Sequence, residues 1–394
     1  MDQINTDTNK QVDDKKLPLF ALFALSLSGF IAIITETLPA GLLPQISAGL
    51  DITEAYAGQF ITSYALGSVL ATIPIISLTR NWDRKPLLLL AVLGFFVFNL
   101  GTFLLHDYAF LLLIRFFAGV SAGIIWGLLT GYTVRIVSPE VVGKSLAIVG
   151  IGQPIALSLG VPLATGLGNM IGWNSIFLLV ALLSLVLLVG ILFVVPNVSV
   201  EHKTASVPFK TIMKNKGVQK VILVTLFWIL AHNLLYTYIS PFLQANGLLV
   251  HLDIILFLFG VSSIIGIWLT GKFIDRYLQK VLAINLIVFV LSGVLMLLGS
   301  LHAGFVFIGV LLWGYAFGGA PIMLQKELAD VAKDYIDIAQ SVSVTAFNIA
   351  VALGGFLGGL LLANLGVNYI LILFILLALL TFYICFANGK KDKA

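Results

Sequence analysis

From Leu17 onward the chain is a succession of long apolar runs separated by short polar breaks. The runs cover 17–45, 56–79, 86–105, 109–134, 144–168, 173–196, 219–245, 253–272, 280–300, 304–325, 338–362 and 367–387. Each reaches the length of about 20 residues that a helix needs to cross a hydrocarbon core. The pattern predicts twelve transmembrane helices. The runs are continuous rather than alternating, which excludes a lipid-facing β-barrel. Residues 1–16 are polar, without the basic start and small-residue cleavage site of a signal peptide, and read as a disordered tail.

The polar breaks test that count. With the N-terminus in the cytoplasm, the inner segments hold 21 of the 22 Lys and Arg residues, and the outer loops hold none. The remaining one, Arg115, lies inside the fourth run. Thirteen acids fall inside, and four, Asp51, Glu54, Asp107 and Asp253, fall outside. A missed or extra helix would flip every later loop and spoil this asymmetry. The positive-inside rule therefore predicts cytoplasmic termini at both ends of a multi-pass membrane protein. Basic loops also attract the anionic lipid of the inner leaflet.

Composition agrees. Of 394 residues, 60% are hydrophobic and 10% are charged, with a mean hydropathy of +1.08. Soluble domains carry about 25% charged residues, so a water-facing surface cannot be built here. The net charge of +4 reads as topology rather than as nucleic-acid binding. A single cysteine, Cys385, excludes a disulfide framework, and no Cys/His set has zinc spacing.

One inner break is long. Residues 197–218 read as a cytoplasmic linker between a bundle at 17–196 and a second at 219–387, with a tail at 388–394. Internal repetition supports two related halves. Ile155, Ala156, Leu159, Gly160, Gly172, Asn174 and Ile176 recur 194 residues later as Ile349, Ala350, Leu353, Gly354, Gly366, Asn368 and Ile370.

Charges within spans are costly and usually face a cavity or a partner. Two stand out, Glu36 and Arg115, at matching depth in the first and fourth helices. They suit either a structural ion pair or a carboxylate that loads and releases a proton. Pro39, Gly41 and Pro44 interrupt the helix beside Glu36. Broken helices at membrane depth are tolerated where they line a cavity, and a packing kink is the plainer alternative.

The inner loop SLTRNWDRKPLL, with Asp83, Arg84 and Lys85, and its later counterpart GKFIDRYLQK, with Gly271, Asp275, Arg276 and Lys280, resemble the loop signature of the major facilitator superfamily. The second copy keeps the pattern. The first carries Ile76 at the Gly position, Arg80 at the Asp position and Asp83 at the second Gly. LLLIRFFAGVSAG, with Arg115 and Gly119, resembles the superfamily's R-x-x-x-G motif, and GIGQPIALSLGVPLATG its antiporter motif, with Gln153 in place of a Gly. That pattern is similar to the drug:proton antiporter branch, which includes bacterial purine, sugar and drug efflux permeases.

The resemblance implies an all-α membrane protein of two pseudo-symmetric six-helix bundles. It implies proton coupling through Glu36 and Arg115, and gating by the two loops, with Asp275 and Arg276 as an inner latch. It also places helices one, four, seven and ten around a central cavity. His232 then becomes a second titratable candidate, and Trp126, Gln153, Asn233, Tyr236, Trp313, Tyr315 and Asn348 become candidates to touch substrate. Each of these has a plainer role as packing or as an intrahelical hydrogen bond.

The expectation is a monomeric secondary transporter of a small organic molecule, drug-like, nucleobase or sugar-like. A proton gradient, rather than a cofactor, would drive it. An uptake symporter or facilitator of the same fold is the near rival. A membrane-embedded transferase is the distant one, since no catalytic His or Asp cluster lies at one interface.

Overall fold

A computed structural model describes residues 17–79, 82–198, 214–332 and 336–386. The tail 1–16, Arg80, part of the expected linker (199–213) and the tail 388–394 lie outside the described residues.

The described chain is helical almost throughout, in the order expected. The first span is Leu19–Gly41, continued by Leu43–Leu50. Gln59–Leu78, Arg84–Leu104 and Tyr108–Arg135 are the second to fourth spans, and Trp173–Val194 is the sixth. The seventh is Lys216–Thr237, continued by Ile239–Ala245. Ala303–Ala332, Ile336–Asn364 and Val367–Phe386 are the tenth to twelfth. With the fifth, eighth and ninth spans, these nine make the all-α fold of twelve transmembrane helices in two six-helix bundles.

Two expectations need correction. Residues 273–279 were expected as a loop, but Leu252–Leu297 is helical throughout except at Tyr277, where φ is −136° and ψ 32°. At about 1.5 Å per residue this stretch is too long for one crossing, so the bend at Tyr277 separates the eighth and ninth spans. The tenth helix was expected to end at 325 and runs on to Ala332, because its added turns bury Glu327, Leu328 and Ala332.

The fifth span is the irregular one. It is built from Val142–Gly150, Gly152–Ile155, a π turn at Ala156–Gly160 and Val161–Ile171. Small residues dictate its packing. A side chain at Gly152 would strike the backbone of Ser26 in the first span. Ser158, inside the π turn, packs against Gly260 of the eighth span, in the other bundle.

Breaks in the first and seventh spans fall at the same end of the molecule, which carries Asp51, Asp107 and Asp253. We call it the acidic end, and the opposite one the basic end. Pro44 has no N–H to give the Ala40 carbonyl four residues back. That carbonyl instead accepts a hydrogen bond from the Ser240 hydroxyl (3.2 Å), which joins the two bundles.

Candidate functional site

Proline chemistry also shapes the charged site. Pro39 lies inside the first span and cannot donate to the Thr35 carbonyl. Arg115 Nη2 of the fourth span donates to that freed oxygen. The contact sets the guanidinium level with Glu36, the next residue along the chain. Glu36 is 5% exposed and Arg115 fully buried. No ion pair closes between them, although each lies in the electrostatic reach of the other.

Aromatic rings complete the arginine's surroundings. Its guanidinium carbon lies 5.1 Å from the Tyr64 ring centre and 5.4 Å from that of Phe177. Such contacts reach about 2 kcal/mol when desolvated. Glycine makes the approach possible. A Cβ at Gly119 or Gly67 would strike the backbone of Tyr64 or Phe116, so the second and fourth spans meet backbone to backbone. The Tyr64 hydroxyl donates to the Ala32 carbonyl (2.7 Å), and Asn99 Nδ2 donates to Thr35 Oγ1 (3.2 Å). Two guanidinium nitrogens, Nε and Nη1, are left without partners. Arg115 is thus held on one side and uncommitted on the other, beside a carboxylate.

The second bundle answers with rings. His232 and Tyr236 sit one turn apart on the seventh span, their ring centres 5.2 Å apart. Trp313 and Phe317 have the same spacing on the tenth. Phe317 stacks on His232 at 3.4 Å and 7°. Trp313 lies 5.3 Å from His232 and 4.5 Å from Phe259 of the eighth span. Glycines again permit it: side chains at Gly314 or Gly318 would strike the backbone of Phe259 or Ser263. Three polar atoms in this cluster have no hydrogen-bond partner: His232 Nδ1, Tyr236 Oη and Trp313 Nε1. The first and seventh spans, which carry Glu36 and Tyr236, pack against each other across the bundle interface.

Other expected residues fall outside this pairing. Trp126 is half-buried over Gly29. Asn233 packs on Gly354 and donates to Ile229 O (3.0 Å), and Asn348 donates to Val344 O (3.0 Å) within its own helix. Gln153 is half-buried in the broken fifth span. Tyr315 is half-buried, with its backbone against Gly266 and no ring contact to the cluster.

The two signature loops differ. Asp83 accepts from Asn197 Nδ2 (2.8 Å), Arg84 Nη1 donates to Thr79 O (3.4 Å), and Lys85 Nζ donates to Leu192 O (2.8 Å). This loop is fastened to the end of the sixth span. Gly271, Asp275 and Arg276 are exposed, and no ion pair holds the latter two among the described residues.

Sequence reasoning missed three features. Phe259 and Phe317 looked like filler, although the i,i+4 spacing of Trp313 and Phe317 was a usable signal. Glu327 was placed in a loop, but it is buried on the extended tenth helix, 3.6 Å from Lys220. Tyr238 closes the acidic end. Its hydroxyl donates to Gly355 O (2.7 Å), Gln59 Nε2 lies 3.5 Å away, and Gly58, Gly358 and Gly359 leave room for its ring.

Comparison with known proteins gives the family. Residues 25–335 match the model of the Major Facilitator Superfamily, and the chain belongs to it. It is 27% identical over 359 residues to a protein of Helicobacter acinonychis (strain Sheeba) named a probable sugar efflux transporter, covering 90% of this chain and 92% of that one. It is 28% identical over 382 residues to the MFS-type transporter YbcL of Bacillus subtilis (strain 168), covering 94% and 97%. In fold it is similar to a D-xylose-proton symporter (TM-score 0.74, 14% identity, 94% and 96% covered). It is equally similar to a bacterial Spinster homologue in an inward-facing, occupied conformation (TM-score 0.74, 15% identity, 95% and 98% covered).

Proposed function

We propose that this transporter exports a small neutral sugar-like molecule in exchange for protons, by alternating access. Glu36 is the proton carrier and Arg115 its modulator. The observation that carries the reading is the half-committed guanidinium. Arg115 is anchored to the carbonyl that Pro39 frees, with two nitrogens unpartnered beside a buried carboxylate. An ionised Glu36 attracts that free side, and protonation removes the attraction. The proton's occupancy is thereby tied to how the first and fourth spans sit together.

Support for a sugar-like substrate comes from the naming of the Helicobacter relatives and from the uncharged ring cluster opposite Glu36. The basic end belongs in the cytoplasm by the positive-inside rule. The bundles then meet at the outer end through Tyr238, Gln59 and Ser240, the arrangement of a carrier open inward. Export in exchange for protons is the mechanism of the drug:proton antiporter branch that the sequence motifs resemble.

Counterflow in proteoliposomes with an imposed pH gradient tests the reading. Glu36→Gln keeps the shape and cannot titrate, and should abolish gradient-driven movement while leaving exchange of substrate for substrate intact. Arg115→Ala should uncouple more severely than Arg115→Lys. Undiminished gradient-driven export by a monodisperse Glu36→Gln protein would refute the assignment. Accumulation with the opposite sense of gradient would make the carrier an importer.

A further inference from the structure

Between the eighth and ninth spans the chain stays helical, so the cations of the second signature loop stand at fixed positions. Lys272, Arg276 and Lys280 follow one another at four-residue steps on Leu252–Leu297, and all three are exposed. Counted from Leu252 at the acidic end, about 20 residues at about 1.5 Å each cross a hydrocarbon core of about 30 Å and end at Lys272. Arg276 lies one turn further, at headgroup depth. Exposed apolar residues continue the surface on both arms of the bend: Ile264, Ile265 and Trp268 on the eighth span, Ile284 and Ile287 on the ninth. Such a face is turned to lipid.

Aromatic rings hold these cations in place. Lys272 Nζ lies 5.6 Å from the ring centres of Trp268 and of Phe273. Arg276 and Lys280 converge on a single ring, that of Tyr277 at the bend, at 5.2 and 5.6 Å. Among the described residues no carboxylate pairs with any of the three. Asp275, exposed in the same stretch, is the one acid between Trp268 and Lys280, so positive charge remains in excess there.

We infer that Lys272, Arg276 and Lys280 form a docking surface for the headgroup of an anionic phospholipid in the leaflet at the basic end, with Trp268 against its upper acyl chain.

The chemistry selects this partner. The positive-inside rule asks only for charge at this end of the molecule, and cations that bind protein satisfy it. Those of the first loop do so: Arg84 donates to Thr79 O and Lys85 to Leu192 O. The second loop instead lines up its cations, unclaimed by protein, on a lipid-facing helix. A phosphate diester carries the matching charge, and its oxygens accept from ammonium and guanidinium groups, the latter in pairs. Tryptophan suits the level just beneath the headgroup. A soluble phosphate would match the cations but leave Trp268, Ile264 and Ile284 uncovered. A lipid satisfies both.

Native mass spectrometry of the purified, delipidated transporter tests the surface. The protein is titrated with dioleoylphosphatidylglycerol or with dioleoylphosphatidylcholine, which has the same chains and no net charge. The wild type should bind phosphatidylglycerol more tightly. Lys272→Gln and Lys280→Gln should each weaken that binding about fivefold, and together about 25-fold, with phosphatidylcholine unaffected. Trp268→Leu should weaken it about two- to fivefold, by releasing Lys272 from its ring. Lys326→Gln is the control. It removes the same charge at the same end of the molecule, but Lys326 already pairs with Asp330 at 3.2 Å, so binding should hold. A preference retained by both glutamine variants would overturn the site. An equal loss in Lys326→Gln would overturn it too, by reducing the effect to overall charge. So would a wild type that binds both lipids alike. Displacement of phosphatidylglycerol by millimolar glycerol phosphate would mean a site for soluble anions, and would overturn the lipid assignment.

Discussion

The two bundles are built alike and furnished oppositely. The 194-residue offset that relates them carries Glu36 onto Leu230 and Arg115 onto Gly309. In both bundles, glycines on the central helix bring a neighbouring span to backbone contact: Gly119 and Gly67 in the first, Gly314 and Gly318 in the second. What that closeness delivers differs. The first bundle places a tyrosine and a phenylalanine around a guanidinium beside a carboxylate. The second places a histidine, a tyrosine and a tryptophan among phenylalanines, without charge. Duplicated architecture thus fixes where a cluster sits, while a few side chains decide whether it is charged or a set of uncharged rings.

The comparison breaks first on stability. Arg115→Ala leaves the Thr35 carbonyl without its donor and empties the space between Tyr64 and Phe177, and should cost about 3–5 kcal/mol. His232→Phe removes an orphaned polar atom from among rings, and should be neutral or slightly stabilising. Thermal unfolding in detergent compares the two. Equal losses would mean that the charged and aromatic sites are not different in kind.

A smaller effect comes from the closure that the halves share. A Cβ at Gly58 of the first bundle would strike the Tyr238 ring of the second. Gly58→Leu should oppose closure of the acidic end by about 1–3 kcal/mol, enough to repopulate the opposite conformation. Spin labels at Tyr56 and Val250, both exposed and on different bundles, should then move apart. An unchanged distance distribution would mean that Tyr238 is packing and not a gate.

The smallest effect is a pH dependence confined to one loop. Glu54 is half-buried in the short helix Glu54–Ala57 at the acidic end, and burial raises its pKa above the ordinary carboxylate value. The folded form therefore binds this proton more tightly than the unfolded chain. Its stabilisation is complete at low pH and fades as pH rises through the raised value. Glu54→Gln should flatten that stretch of the stability profile and leave the rest unchanged. A steeper profile in the variant would reverse the sign.

Much of this was legible in the sequence. Apolar run length and Lys/Arg placement gave twelve helices, because the bilayer imposes both. Glu36 and Arg115 stood out because charge at membrane depth is expensive. Even the Arg115 anchor was half visible, since Pro39 must orphan the carbonyl of Thr35. The partners were not legible. Nothing in a run of apolar letters tells Phe317 on His232 from Phe305 elsewhere, because ring stacking depends on helix rotation and crossing. Glu327 was hidden because its burial depends on the seventh span, which brings Lys220 to it, and not on the hydropathy of its own segment.

The central claim is a division of labour: the proton is carried in the first bundle and the sugar is read in the second. Proton release on sugar binding, followed with a pH-indicating dye in weakly buffered detergent solution, tests it most directly. The wild type should release protons when sugar is added. Glu36→Gln should bind sugar and release none, while His232→Phe at saturating sugar should release as many as the wild type. Release that survives Glu36→Gln and vanishes in His232→Phe would contradict the account.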